Sequence, residues 1–341
     1  MKQKNTILIG LITSIGIAAL ILDSRTALSG AAEGIDLCIR TVIPSLFPFF
    51  IFSILLTGSV LGHRLPILDR VGQLCGIPAG VESIFLVGLL GGYPVGAQCI
   101  SHAYTAGQLS RTDAQRMLGF CNNAGPAFLF GMIGSQFQSH STAFVLWFIH
   151  IFSALIVGIL LPKSSNHSTS IISSVPVNIG HALRQSIQAM ANVCGWVVLF
   201  RVVLCFAQRW FLWLLPSAGQ VLLTGILELS NGCLELAAIE DEAVRFVLVS
   251  IFLGFGGICV GMQTLSVVEE AGLDSGMYFP GKVLQTSISA ILTIPLSHYL
   301  FTHCVGISNL MMVLPAVSIL ATLALLKNRK NNSSIPVATG V

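Results

Sequence analysis

The pattern Gly-Gly-x-x-Val-Gly-x-Gln occurs twice, each time inside an apolar stretch. The first copy is Gly91-Gly92-Tyr93-Pro94-Val95-Gly96-Ala97-Gln98 and the second is Gly256-Gly257-Ile258-Cys259-Val260-Gly261-Met262-Gln263. The copies lie 165 residues apart, and the same offset relates Ala106-Gly107 to Ala271-Gly272. Glycine and proline interrupt a helix and leave backbone N–H and C=O groups that hydrocarbon cannot satisfy. At membrane depth such groups persist only when buried in protein or facing a wet cavity. Paired interruptions in the two halves of a repeat are the sequence sign of a membrane transporter's binding site.

The composition makes a membrane setting the natural one. Hydrophobic residues make up 54% of the 341 and charged residues only 9%, with a mean hydropathy of +0.85. A soluble chain carries about 25% charged residues, so this one has too little polar surface to face water all round. The expected class is an all-α, polytopic membrane protein whose first partner is the lipid bilayer. A net charge of +3 gives no reason to expect nucleic acid. The nine cysteines form no Cys-x-x-Cys pair, and most lie in apolar runs where Cys acts as a small hydrophobe. Neither a disulfide framework nor a metal site is expected.

Taken in order, residues 1–30 read as an N-terminal transmembrane helix, with Lys2 and Lys4 ahead of the apolar run Ile7–Leu22. Residues 31–162 form a first repeat, 163–180 a polar linker rich in Ser and Asn, 181–326 a second repeat and 327–341 a polar tail. Basic residues at both ends favour both termini in the cytoplasm, hence an even number of crossings. In the first repeat, residues 31–40 read as a short amphipathic lead-in to a span that Pro44 and Pro48 kink at its start. Val81–Gly91 would make about 16 Å of helix against a hydrocarbon core of about 30 Å. Ala97–Ala106 is of similar length, so a broken helix or re-entrant hairpin fits both. Ser110-Arg111-Thr112-Asp113 reads as a capping box opening a helix through Phe120, interrupted at Cys121–Pro126. Further spans are expected near Ala143–Leu161, Ala191–Phe206 (after a piece His181–Met190), Val283–Leu300 and Val305–Leu326, with Ala243–Gly257 and Met262–Ala271 flanking the second break. The total is about eight to ten crossings.

The residues suited to bind a solute follow from the breaks. Half-helices starting after Gly96 and Gly261 would aim N–H groups and a positive dipole end at an anionic group. Gly91, Gly92, Tyr93, Gly96, Gly256 and Gly257 would surround that point, with Gln98 and Gln263 as ligands related by a pseudo-two-fold axis. The competing reading is that these glycines only allow close helix packing. Asn122 and Asn123 offer amides beside a proline-broken helix, as ligands or as a capped turn. Glu228 and Glu235 are seven apart and share a face on a continuous helix, with Ser230 and Asn231 between them. Arg201 would pair with one of these glutamates, bind a substrate carboxylate, or snorkel to the interface. Glu269, Glu270, Arg111 and Arg116 read as solvated, and His298 and His303 as aqueous-edge histidines. No nucleotide-binding, metalloprotease or nucleophile-elbow pattern is present, so a non-enzyme with no cofactor is expected.

These stretches also resemble a known family. Pro44-Ser45-Leu46-Phe47-Pro48-Phe49, Gly91 to Ala97, Asn122-Asn123-Ala124-Gly125-Pro126, Glu228-Leu229-Ser230-Asn231-Gly232, and Gly254-Phe255-Gly256-Gly257 with Gln263 occur in this order. Over about residues 35–300 they are similar to the sporulation integral membrane proteins of the wider nucleoside-recognition (Gate) domain family. The resemblance implies paired helical hairpins around a midplane site, related in design to concentrative nucleoside carriers. It implies a multi-pass cell-membrane protein that moves dipicolinate from the mother cell across the outer forespore membrane. The small-molecule substrate would be that organic anion or a nucleoside, accompanied by a coupling ion. A non-transporting assembly protein of the spore envelope is the alternative.

Overall fold

The computed structural model describes residues 2–60, 66–163 and 178–301. The expected span Val305–Leu326, the tail 327–341, His303 and most of the linker 163–180 lie outside them. Among the described residues every regular element is helical, and the chain is an all-α polytopic membrane protein. Among the described residues, four stretches are long and apolar enough to cross a bilayer on their own: Ser24–Leu56, Ser141–Leu160, Ile179–Trp210, and Glu242–Glu270 taken through its glycine break.

Helix α1 (Lys2–Leu22) stops at Asp23, whose carboxylate accepts from Thr26 N–H at 3.4 Å and caps α2 (Ser24–Leu37). A π-helical turn, Cys38–Val42, carries α2 directly into α3 (Ile43–Val60). The lead-in expected at 31–40 is therefore part of one continuous run. Pro44 lacks an N–H and crowds the carbonyl four residues back, at Arg40, and the wider π turn lies where that strain falls. Next come α4 (Pro66–Cys75), α5 (Ser83–Gly91), α6 (Val95–Thr105) and α7 (Arg111–Met117). The capping box forms, with Ser110 Oγ accepting from Asp113 N–H at 3.1 Å and donating to its carboxylate at 2.7 Å. The regular helix ends at Met117, short of Phe120. After an interruption, α8 (Pro126–Phe128) opens with proline at its first position and runs into a second π turn, Leu129–Ile133. Then follow α9 (His140–Leu160) and α10 (Ile179–Trp210), the latter joining the two pieces expected at 181–206. The chain continues with α11 (Ser217–Leu227), α12 (Leu229–Leu236), α13 (Glu242–Phe255), α14 (Gly257–Glu270) and α15 (Tyr278–Leu300).

The element order repeats, but not at the offset of the matching sequences. Helices α5 and α6 fold back on each other as a hairpin, and so do α11 and α12. Ser83 and Ser217 open the first arms and Val95 and Leu229 the second, each pair 134 residues apart. Each hairpin is followed by a helix (α7, α13), an interruption, a further piece (α8, α14) and a closing helix (α9, α15). The first Gly-Gly copy is thus a hairpin tip, whereas the second is a break within a span. Glycine is required wherever backbone lies on backbone, so one string serves at two non-equivalent places. The helices resume at Val95 and Gly257 rather than after Gly96 and Gly261.

The contacts explain the small residues. A Cβ on Gly88 would lie 1.8 Å from the Cys121 carbonyl oxygen, and one on Gly96 would lie 2.1 Å from it. That carbonyl is seated in the notch between the arms of the first hairpin. In the second hairpin the ring of Phe252 takes the same place, 2.2 Å from a Cβ built on Gly225. Arg116, expected to be solvated, is buried at 4% exposure. Its guanidinium donates to Pro162 O at 2.8 Å, Gly76 O at 3.2 Å, Cys75 O at 2.5 Å and Gly158 O at 2.6 Å. It supplies donors for carbonyls at the ends of α4 and α9 that have no helical partner, which is what makes its burial tolerable. Arg111 remains exposed, 3.7 Å from Asp274.

Candidate functional site

Both hairpin tips, the first interruption and the helix after the second line one cavity. Its lining includes Gly92 and Tyr93 from the first tip, and Glu228, Leu229 and Ser230 from the second. Ala124 and Gly125 come from the first interruption, and Val260 and Gln263 from the helix after the second. Ser45 and Leu46 of α3 and Val193 and Val197 of α10 close the sides. The volume is about 50 Å³, room for one or two waters, in a chamber that is partly open rather than sealed.

Tyr93 joins the halves. Its hydroxyl donates to Leu253 O at 3.4 Å, and its ring end lies against Gly256, where a Cβ would be 3.1 Å from the phenol oxygen. Gly92 has φ of +76°, open to glycine at little cost, and lies on the backbone of Gly125. Gly91 closes α5 against Val95 and Gly257 opens α14 beside Leu229 N, so both serve backbone packing and neither lines the chamber.

The half-helix ends are not all available to a ligand. Asn122 Oδ1 accepts from Ala97 N–H at 3.3 Å, at the start of α6, while its amide donates to Thr264 Oγ1 at 2.8 Å. At α12, Glu228 accepts from Ser230 N–H at 3.1 Å, from Asn231 N–H at 2.7 Å and from the Asn231 side-chain amide at 2.6 Å. The second arm of the first hairpin is thus capped from the interruption by Asn122, and that of the second by Glu228 at its own tip. Helix α14 begins at Gly257 with no side-chain cap among the described residues, and its first turns carry Val260 and Gln263 to the chamber.

Three expected pairings are replaced by others. Gln263 is buried on the chamber wall with its amide 3.4 Å from Cys259 Sγ, whereas Gln98 is half-buried on α6 and is not part of the lining. The two amides do not form a pair, because their motif copies occupy different places in the repeat. Glu228 and Glu235 do not share a helix face, since Glu228 has extended backbone (φ −142°, ψ 119°) at the junction before α12. Arg201 pairs with neither. Its Nε donates to Glu33 Oε2 at 3.0 Å, Nη2 also reaches that oxygen, and Nη1 donates to Asn231 Oδ1 at 3.2 Å. Glu33, Arg201, Asn231 and Glu228 thus form a relay from α2 across α10 to the second tip. Glu33 escaped notice because it lies in the stretch expected as an interfacial lead-in.

A second polar cluster lies behind the Tyr93 wall. Lys282, near the start of α15, is fully buried; its Nζ donates to Gln285 Oε1 at 2.8 Å and Asn123 Oδ1 at 3.3 Å and lies 5.2 Å from the centre of the Tyr93 ring. Gln285 Nε2 donates to the same Asn123 oxygen at 3.0 Å, and the Asn123 amide donates to Phe120 O at 2.7 Å. His150 of α9, also buried, accepts from Ala124 N–H through Nε2 at 3.1 Å. Asn123 and Tyr93 are legible as candidates in the sequence, whereas Lys282 and Gln285 show there only as a Lys and a Gln three apart at the edge of an apolar run.

The chain is similar to the sporulation integral membrane protein YlbJ of Bacillus subtilis (strain 168), with 24% identity over 348 residues covering 89% of this chain and 85% of that protein. No family model matches the chain. No solved structure matches it either.

Proposed function

We propose that the protein is a multi-pass transporter of the cell membrane that carries a small organic anion of the dipicolinate type during sporulation, by alternating access to the chamber between the hairpin tips. The observation that carries this reading is the convergence of both tips, the first interruption and the helix after the second on one cavity. Broken helices at membrane depth place unwound backbone around a solute, and a chamber this small would have to widen to admit one. The uncapped start of α14 is the positive half-helix end available to a carboxylate. The likeness to a sporulation integral membrane protein supports a membrane setting in sporulation; the outer forespore membrane, with both termini in the cytoplasm, is part of the same proposal. No catalytic role and no cofactor are invoked.

One observation favours a second reading, a nucleoside carrier of the same design. Glu228 brings a carboxylate to the chamber, where it suits hydroxyl donors better than an anion. Uptake of labelled dipicolinate into proteoliposomes, with uridine as the alternative solute, separates the two. Saturable dipicolinate uptake that is lost in Gln263→Ala and kept in Gln98→Ala is the expected result. Uridine flux alone would move the substrate class, and no flux of either solute in folded protein would leave an assembly role in the spore envelope.

A further inference from the structure

The buried amine of Lys282 has no acid to neutralise it. The sequence contains fourteen Asp and Glu residues, and all fourteen lie among the described residues. The ion pairs formed there engage Asp36, Asp274, Glu33 and Asp23, and none reaches Lys282. Its hydrogen-bond acceptors are two amide oxygens, Gln285 Oε1 at 2.8 Å and Asn123 Oδ1 at 3.3 Å, with the face of Tyr93 on a third side.

That set satisfies both charge states. A neutral amine has two N–H donors, matched by the two oxygens. An ammonium has a third, which the electron-rich ring face accepts. A lysine held by neutral groups in a low-dielectric interior exchanges its proton more readily than one locked to a carboxylate. The titratable neighbours do not fix its charge. Cys121 faces it from the first interruption, His150 from α9 and Tyr93 from the first tip. The His150 imidazole has Nε2 committed as an acceptor. Tyr278 lies one turn away on α15 itself. On the other helices packed against α15, Glu242 accepts from Gln138 N–H, Arg245 donates to Ile239 O, Asp113 bonds to Ser110, and Arg116 is committed to carbonyls.

We propose that Lys282 is a proton-loading site that couples transport through the neighbouring chamber to a transmembrane proton gradient. This rests on the transport reading above. Water on one side supplies the proton, Nζ holds it as the third N–H, and water on the other side takes it back; no other bond is made or broken. The Tyr93 ring lies between Nζ and the chamber, so an ammonium there favours an anion in the chamber without touching it, and the anion in turn favours the ammonium.

The test uses the full chain in proteoliposomes with labelled dipicolinate, measured as counterflow and as net uptake driven by an acidic exterior. One pH unit drives at most about tenfold accumulation for one proton per solute. The wild type is expected to accumulate solute under the gradient. Lys282→Met and Gln285→Glu, the latter placing a carboxylate against Nζ, are expected to keep counterflow and lose the gradient response. Wild-type counterflow with no gradient response would overturn the proposal, as would a gradient response that survives in both variants. Absence of any counterflow, with dipicolinate or uridine, would instead sink the transport reading itself.

Discussion

The hydroxyl of Tyr93 donates to the carbonyl of Leu253 at 3.4 Å, which ties the first hairpin tip to the helix that ends at the second break. The interrupted backbone of each half is thus held by the other half, with Gly256 leaving room for the phenol. Tyr93→Phe removes that bond and leaves a buried carbonyl, with an expected loss of about 1 kcal/mol. Tyr93→Ala also empties the ring's space, with an expected loss of about 3–5 kcal/mol. Thermal unfolding in detergent should rank the two in that order, and equal midpoints would show that the ring is not packed between the breaks.

The notch of the first hairpin makes a sharper demand. Gly96→Ala would set a methyl group 2.1 Å from the Cys121 carbonyl oxygen, which is backbone and cannot swing aside. Overpacking of this kind costs about 1–3 kcal/mol or more. Gly195, inside α10, has nothing within 4 Å of an added Cβ, so Gly195→Ala is expected to gain up to about 1 kcal/mol from helix propensity. Opposite signs in paired melting curves are the expected outcome.

The Arg201–Glu33 contact links α10 to α2 across 168 residues of chain. Removing only Arg201 leaves Glu33 unpaired within a span, at a cost of about 2.5 kcal/mol or more by the insertion scale. Arg201→Met with Glu33→Met is therefore expected to be more stable than Arg201→Met alone. A double-mutant cycle with no coupling would mean that the two charges are solvated independently.

Glu228 and Glu235 should separate cleanly. Glu228→Ala uncovers the N–H groups of Ser230 and Asn231 and is expected to cost about 1–2 kcal/mol as a lost helix cap. Glu235 is half-buried in the last turn of α12, and Glu235→Ala is expected to stay within about 0.5 kcal/mol. Equal losses would restore the expectation that the two carboxylates act as one face.

Much of the fold was legible because hydrocarbon leaves few options. Apolar runs had to be helices, half-length runs had to be broken, and Gly91–Pro94, Cys121–Pro126 and Gly256–Gly257 announced where. The repeat register was not legible. Hairpin notches and span breaks need glycine for the same steric reason, so the matched strings aligned a tip with a break and made Gln98 and Gln263 look like partners. The polar partners were hidden by distance along the chain. Nothing local marks Glu33 for Arg201, or Lys282 for Asn123, until α2 is seen to run unbroken into α3 and α15 to pass behind the first tip. Arg116 carries no local signal of burial, because its partners are carbonyls, which every residue possesses and no sequence pattern displays.

Arg116 ties one corner of the molecule together. One guanidinium grips main-chain oxygens from the end of α4, the turn after it and the end of α9, and none of those attachments can loosen without stranding several at once. Gly30 and Gly34 of α2 bear directly on the backbone of α10 at Val202 and Val198, a close track joined by two ion pairs, Arg201–Glu33 and, at the cap of α2, Arg209–Asp23. A cycle that opens the chamber would turn about the Arg116 corner as its fulcrum, with α2 and α10 as the bearing surface.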